Sequence, residues 1–494
     1  MIKPHYETYR HNKRIASLHS QSIVECRLAG GDVGRILTVN ARAVAKDWRV
    51  LQGVIEYSGK LTLTIVYEDA EKNVCRIERG AEFSHKVEDK ELLTTHFAEG
   101  IFTADDTKWR REGGSVYLTT IVSAHFEVFG ETQAEYLYDG EGLLVKRENQ
   151  PVSKIRLLEG KTIVEDDFDT DYIADVLAHT ETAHLLSLQA ESGRVAVAGE
   201  LLVNICALKG DGSLCSYERL IPFTMELDAE ECEYKMPVEG QAFVQDATLS
   251  ITADEEKGKS SIGVEVELSL QGILHVVDEI PCAVDCYSKE EELILHRKQI
   301  VGVCEVENLT FTERVSGVCA LSAPVRYTTA FLCILRSRVE VDLKRGVEGG
   351  EAEGCIFADL LVEEEGEREI RALSLPFVFP VPIEKDWEGR IYGTACGFSV
   401  RQKQEGECTL EGTVKVRLER KKKTVGSYVD EVEIGEQKKR NESGISIYFP
   451  QKGEGCWELA KRLNVEEEEV TKLNPDIQFP LQGEERIFVF RQNK

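Results

Sequence analysis

Ala253 to Ser260 is the stretch whose residue types come closest to a phosphate-binding loop. It fits a relaxed phosphate-loop pattern, in which backbone amides would cradle a phosphate. Such a cradle needs amides free of nearby negative charge at a helix N-terminus, but Asp254, Glu255 and Glu256 occupy the stretch and strand-like sequence flanks it. We therefore interpret the stretch as the tip of a β-hairpin.

His179, Glu181 and His184 are residue types that can bind a metal ion. The stretch 140 residues earlier, Val39 to Val44, contains none of these types although it otherwise corresponds, and the metalloprotease order on a helix is missing. We interpret the histidines as structural. No Gly-x-Ser-x-Gly elbow occurs either, so the sequence predicts no enzyme, no metal site and no cofactor.

The 14 cysteines are scattered, and the closest spacing is Cys282-x3-Cys286. Several of them occupy alternating strand positions, as Cys206, Cys304 and Cys333 do. Reduced cysteines that serve as small apolar side chains in a cytosol fit this distribution better than a disulfide framework or a zinc site.

A repeated β-hairpin organises most of the chain. Gly59 to Phe83 recurs without a gap, 140 residues later, as Gly199 to Phe223. The identical pairs are Gly59/Gly199, Leu61/Leu201, Ile65/Ile205, Cys75/Cys215, Glu78/Glu218, Arg79/Arg219 and Phe83/Phe223. A third copy, one residue shorter, runs from Gly354 to Phe377. Three copies predict three related domains and a remainder.

Each copy has the period-2 pattern of a half-buried strand, in which Leu61, Leu63 and Ile65 alternate with more polar neighbours before a turn. A hairpin alone is marginal in water, so further strands must complete each domain. The candidates are Val116 to Phe129, Ile262 to Val277 and Cys408 to Leu418. The sequence therefore predicts a mainly β chain of three tandem all-β domains, and it leaves open whether they are sandwiches or barrels.

The C-terminal segment has a different pattern. Ile445, Ile447 and Phe449 alternate as a short strand, and a final strand is predicted at Ile487 to Phe490. Between them lie two helices, the first with an apolar face that ends at Asn464 and the second with acidic residues at its start and Asn474-Pro475 at its end. The order strand, helix, helix, strand predicts a small α+β domain.

We predict an N-terminal arm or short helix at 1–30, repeats at 31–165, 166–300 and 301–436, a charged linker at 437–444 and the α+β domain at 445–494.

The formal net charge of −28 disfavours binding to nucleic acid or anionic lipid, because phosphates would be repelled. A basic protein surface is the better partner. The first residues lack a signal-peptide pattern, and no apolar run of about 18 residues occurs, which favours a cytoplasmic location without membrane insertion.

Two family resemblances rest on these residues. Lys452 to Ala460, with Asn464-Val465 and Leu473 to Ile477, resembles a LysM domain. The repeats, with openings such as Asp32 to Leu37 and closings such as Ile221-Pro222-Phe223, resemble the SPOCS domain of spore-coat and envelope proteins in endospore-forming bacteria. The combination is similar to a family of spore-envelope proteins that carry both.

The resemblance implies where a partner would bind. LysM domains usually bind N-acetylglucosamine-containing glycans through the loops after the first strand and after the second helix. The corresponding residues are Lys452, Gly453, Glu454 and Trp457, then Asn474, Pro475, Asp476, Ile477 and Phe479. The usual threonine of the first loop is absent, since the sequence there is Gly453-Glu454-Gly455.

The resemblance implies two functions of different classes. One is a non-enzymatic scaffold of spore-envelope assembly on the mother-cell side of the forespore surface, docking through the LysM-like domain to a coat-basement ATPase of SpoIVA type. The alternative is a peptidoglycan or chitin-type glycan-binding protein that uses LysM as a cell-wall anchor. The absence of an export signal favours the scaffold.

Overall fold

The computed structural model describes residues 2–29, 33–254, 256, 258–320, 330–346, 349–404, 407–438 and 444–491. Most of these residues lie in antiparallel strands, and two short helices occur near the C-terminus. The mainly β prediction is confirmed. In the described part of the chain, no helix has the length and apolar character needed to span a membrane.

The first unit is built from two three-stranded sheets. Its strands are β1 (Lys3–Ala29), β2 (Arg35–Leu51), β3 (Val54–Glu68), β4 (Val74–Glu88), β5 (Phe97–Glu112) and β6 (Ser115–Glu141). One sheet has the order β1-β6-β5 and the other β2-β3-β4. Leu61 and Leu63 from one sheet share an apolar core with Leu118 and Phe126 from the other. Two sheets around one core make this unit a sandwich.

The same order recurs twice. The second unit has β7 (Leu144–Asp171), β8 (Ile173–Glu191), β9 (Arg194–Lys209), β10 (Leu214–Asp228), β11 (Val238–Asp254) and β12 (Lys259–Tyr287). The third has β13 (Glu291–Ala320), β14 (Ala330–Arg345), β15 (Gly350–Glu364), β16 (Glu367–Val381), β17 (Trp387–Gln404) and β18 (Glu407–Gln437). Their sheets are β11-β12-β7 with β10-β9-β8, and β13-β18-β17 with β14-β15-β16.

The predicted hairpins are present as β3–β4, β9–β10 and β15–β16. Gly59, Gly199 and Gly354 lie in the middle strand of their sheets, each directly opposite a phenylalanine of the next strand. A Cβ atom at any of the three would overlap that phenylalanine ring and a backbone carbonyl oxygen of the strand on the other side. Glycine is therefore required by the close approach of three strands, which explains its recurrence.

The first and last strands of each unit are long and pair with each other. β1 pairs with β6 from Lys3 opposite Glu141 to Ala29 opposite Ser115, so the N-terminal residues belong to a sheet and the short-helix interpretation is wrong. Pairing with β6 decides the conformation of these residues more strongly than local helix preference does. The predicted limits at 165/166 and 300/301 fall inside β7 and β13. The limit at residues 30 and 31 lies outside the described residues.

The three units meet around their long strands. Beyond the sandwiches, the ends of β6, β12 and β18 pack together, with Leu137, Ala283 and Val429 in one apolar cluster. A second cluster joins the other sheets of the three units through Val66, Cys206 and Leu361. Each of these two apolar clusters contains residues from all three units, so the units are arranged about a common centre.

Candidate functional site

The C-terminal module has the predicted element order. It consists of β19 (Gly444–Tyr448), α1 (Cys456–Leu463), α2 (Glu467–Leu473) and β20 (Ile487–Arg491). Leu459, Ala460 and Leu463 of α1 pack with Val470 of α2 and Ile487 of β20. The predicted linker falls mostly outside the described residues, since 439–443 are not described. Assignment of the module to the LysM family stays a prediction.

Asn464 ends α1 as the sequence predicts. It adopts the left-handed conformation (φ 60°), and its backbone N–H bonds back to the carbonyl oxygens of Ala460 and Lys461. Asparagine tolerates this conformation better than most residues, because its short polar side chain forms local hydrogen bonds.

The two predicted binding loops lie side by side. The Gly453 amide donates a hydrogen bond to the Leu481 carbonyl oxygen (2.7 Å), and the Leu481 amide donates to the Glu454 carbonyl oxygen (2.9 Å). Leu481 follows the second loop and is fully buried in the module core. These two bonds hold the loop after β19 against the end of the loop after α2.

The predicted site residues differ in exposure. Lys452, Gly453, Pro475 and Asp476 are exposed at the loop tips, whereas Glu454, Ile477 and Phe479 are half-buried and Trp457 and Asn474 are buried. Ile477 and Phe479 pack against the module core, so replacing either would disturb packing as well as any surface. The exposed tips are the part of the predicted site that a partner could contact.

Asn474 and Glu454 are engaged within the module. The Asn474 side-chain amide donates to the carbonyl oxygens of Val470 and Phe488 (2.8 Å each), and its Oδ1 accepts the Phe488 amide (2.7 Å). Glu454 accepts hydrogen bonds from the Gln451 amide (3.0 Å) and from Arg462. Both side chains hold the loops in place.

Trp457 contacts the second unit instead of solvent. Its indole N–H donates to Asp285 Oδ2 (2.8 Å), and its ring packs edge-on against Tyr287, with the ring centroids 5.0 Å apart. Lys461, one helical turn later, donates to both oxygens of Asp285 (2.6 and 2.8 Å). Trp457, which the resemblance placed in the first binding loop, packs between the module and the second unit.

The end of β12 and the connection from β12 to β13 bind the segment between α1 and α2 and the first turn of α2. The Tyr287 hydroxyl donates to the Val465 carbonyl oxygen (2.6 Å), and Lys289 Nζ forms ion pairs with Glu466 (2.7 Å) and Glu469 (2.9 Å). Asn464 in turn donates to the Lys289 carbonyl oxygen (2.6 Å). The module is thus docked on the second unit.

Burial and neighbouring groups shift the pKa values of Asp285 and Tyr287 at this junction. Burial raises the pKa of Asp285, but the hydrogen bonds from Lys461 and Trp457 outweigh it and hold the pKa below its ordinary value. Burial raises the pKa of the Tyr287 hydroxyl, as do the acidic residues at the start of α2. Asp285 is therefore ionised at neutral pH and acts as a fixed anion under α1.

A polar cavity of about 620 Å³ lies where the three units meet. Glu239 and Glu419 line it together with His275, Arg390 and Lys421. Glu239 accepts hydrogen bonds from His275 (2.6 Å) and Lys421 (2.8 Å). The cavity is formed by side chains from all three units, whose other lining residues include Arg14 and Glu127.

A small pocket that shares Glu239, Arg390 and Glu419 with this cavity is also lined by Glu99. Corresponding strands of the three units place Glu99, Glu239 and Arg390 there, two acids and one base. The positions correspond because their partners on the neighbouring strand are equally spaced: Glu127, Ile273 and Glu419 follow one another at intervals of 146 residues. Their partners are Glu99, Glu239 and Arg390, respectively. Burial, with the nearby Glu239 charge, raises the pKa of Glu99 to about 7. Its Oε1 atom is buried and has no hydrogen-bond partner among the described residues.

Glu239 and Glu419, the two carboxyl groups here that accept hydrogen bonds, have pKa values shifted in opposite directions. Burial raises the pKa of Glu239, but His275 and Lys421 outweigh it and lower the pKa well below its ordinary value. Burial raises the pKa of Glu419, which accepts hydrogen bonds from the Gly240 amide (3.0 Å) and Arg417 (3.2 Å). The cluster therefore holds two unlike kinds of carboxyl group, one paired and one unpaired.

The sequence analysis did not predict the cavity, the docking of the module on the second unit, or the exposed apolar side chains on the outer face of the β19-β20 sheet, among them Ile447 and Phe488. Only the last had a local signal: Ile487 to Phe490 is apolar at every position, which indicates that both faces of the strand are apolar. The cavity and the docking contact join residues more than 100 positions apart. No spacing in the sequence identifies such pairs.

The comparisons with known proteins give one match. The family model described as SipL, SPOCS domain matches residues 32–95, the part of the chain that carries the sheet β2-β3-β4. No curated protein and no solved structure matches the chain. The match supports a SipL-like protein related to sporulation.

Proposed function

We propose that this chain is a SipL-like, non-enzymatic scaffold protein of spore coat and envelope assembly. The observation that carries the proposal is the SPOCS-domain match at residues 32–95. It is supported by the architecture, in which three similar β sandwiches are followed by a module of two strands and two helices. Such an arrangement offers several separate surfaces for binding other proteins.

In this proposal the C-terminal module docks onto a coat-basement ATPase of SpoIVA type, in the mother-cell cytoplasm at the forespore surface. Two adjacent loops with exposed Lys452 and Asp476 support a contact there. The net charge of −28 favours a partner with a basic surface, because opposite charges accelerate encounter.

The test is the affinity of the purified full chain for a purified SpoIVA-type ATPase. We expect the double variant Lys452→Glu with Asp476→Lys to bind at least about 10-fold more weakly, since it reverses two charges at the loop tips without changing the net charge. The matched control is Glu468→Lys with Lys472→Glu, which reverses an exposed ion pair (3.4 Å) on α2.

Unchanged affinity in the loop variant would place the contact elsewhere in the chain. An absence of any binding by the wild-type chain would contradict the choice of partner. The glycan alternative is tested by titrating chitin oligomers and peptidoglycan fragments. Saturable binding that the loop variant abolishes, together with no binding to the ATPase, would favour a glycan-binding protein.

A further inference from the structure

The outer face of the sheet β19-β20 is apolar and exposed. Ile445 lies opposite Phe490 and Ile447 opposite Phe488, so the alternation of each strand puts all four side chains on one face. Phe449 continues the alternation. These five side chains are between 46 and 74% exposed, which is unusual for so many large apolar groups together.

The opposite face of the sheet is already covered. Ile487 and Val489 lie in the module core beneath the helices, and Tyr448 packs against it. The helices in turn contact the second unit through Trp457 and Lys461. The module is therefore layered, with the second unit, the helices and the sheet in that order, and the apolar face is the layer in contact with solvent.

The exposed fractions correspond to roughly 600 Å² of apolar side chain, the upper end of the range for the largest apolar patch on a monomer. We propose that a second copy of this chain covers this face, so that two β19-β20 sheets stack face to face about a two-fold axis. Two such faces would bury roughly 1,200 Å² in total, the lower end of the range for specific interfaces. The dimer is accordingly reversible.

The chemistry of the face favours a second copy over a different protein. Its five side chains carry no charge and no hydrogen-bonding group, so they offer a different protein no polar group for selective recognition. Two copies of one face match in extent and character by symmetry. Each chain carries a net charge of −28, so salt that screens the repulsion between copies should strengthen the dimer.

The experiment is sedimentation equilibrium of the full chain between about 1 and 100 μM, a range that covers the dissociation constants of a weak, reversible dimer. We expect a reversible dimer of twice 55.5 kDa, favoured at higher salt. Ile447→Glu with Phe488→Lys places a charged cross-strand pair at the centre of the face, where it can pair within the sheet. It should weaken dimerisation at least about 30-fold, because stacking would bury both charges.

The matched control is Ile23→Glu with Val425→Lys, which changes two exposed apolar residues of the sandwiches and should leave the dimer intact. A wild-type chain that stays monomeric at the highest concentration overturns the proposal, as does a folded variant that dimerises like wild type. If the variant fails to fold, amide hydrogen exchange of wild-type residues 444–449 and 487–491 decides. Protection that does not rise with concentration would exclude this face.

Discussion

At Gly59 the ring of Phe83 fills the space next to the Cα atom, and the Val44 carbonyl oxygen closes the other side. The same arrangement recurs at Gly199 with Phe223 and at Gly354 with Phe377. The absence of a side chain lets the aromatic ring cross the middle strand, and the ring then joins the core of the sandwich.

Gly59→Ala should destabilise the first unit by about 2 kcal/mol or more, because the added methyl group overlaps both an aromatic ring and a backbone atom that cannot rotate away. The measurement is the unfolding midpoint by calorimetry. Gly80→Ala is the control from the neighbouring strand, where the nearest atom to an added Cβ is Lys60 Cε at 3.5 Å. Equal midpoints for the two variants would contradict the packing argument.

The two helices of the C-terminal module are each no longer than eight residues, which is too short for stability in isolation. They are stabilised by the sheet on one side and by the end of β12 with the β12–β13 connection on the other. Asp285 is central to the second contact, because it receives both the Trp457 indole N–H and the Lys461 ammonium group.

Asp285→Asn should weaken the docking of the module on the second unit, lowering the free energy of that contact by about 2 kcal/mol or more. The reason is that the variant leaves the partly buried Lys461 ammonium group without its carboxylate partner. The depressed pKa of Asp285 means that its contribution is fully present at neutral pH and is lost as pH falls below the ordinary carboxyl range.

The measurement is amide hydrogen exchange at residues 456–466, which should accelerate at neutral pH. Asp139→Asn, an exposed aspartate near the end of β6, is the control and should leave exchange unchanged. If exchange in the Asp285 variant matched wild type, the docked arrangement would not depend on this carboxylate.

The local pattern of apolar and polar residues predicted those elements whose stabilising contacts lie nearby in the sequence. The hairpins, the two helices of the module and the end of α1 at Asn464 are of this kind. β1 was mistaken for an arm or short helix because its pairing partner begins at Ser115, far along the chain. The loops of the predicted site were found from the resemblance, but the burial of Trp457 depends on Tyr287, which no local pattern connects to it.

At the scale of the whole molecule, the three sandwiches meet at a cavity, and the buried carboxyl groups in it and in the small pocket beside it differ in their partners. Glu239 is paired with His275 and Lys421, while the Glu99 oxygen Oε1 has no hydrogen-bond partner among the described residues. Symmetry of the fold therefore does not extend to the electrostatics of its centre.

Glu99→Gln should stabilise the chain at pH 8. The pKa of Glu99 is raised from 4.5 to about 7, so native-state stability falls as pH rises between those values, and the charged form is the unfavourable one. We expect a gain of about 3 kcal/mol at pH 8 and about 1 kcal/mol less at pH 6. Denaturant unfolding at both pH values measures this difference.

Glu239→Gln at the corresponding position should instead destabilise the chain at both pH values, because it removes the carboxylate that accepts hydrogen bonds from the buried His275 side chain and from the partly buried Lys421 ammonium group. If both variants changed the stability of the chain in the same direction, the burial of an unpaired carboxyl group at Glu99 would not be the cause of the gain.

The pairing of the first strand of each sandwich with the last has a consequence for synthesis on the ribosome. β1 emerges first, yet its partner β6 is not complete until residue 141 has been added. At about 5–20 residues per second, the nascent chain carries β1 unpaired for roughly 10 s. The first sandwich can therefore close only after its whole length has left the exit tunnel, while β7, its counterpart in the next unit, is already being made.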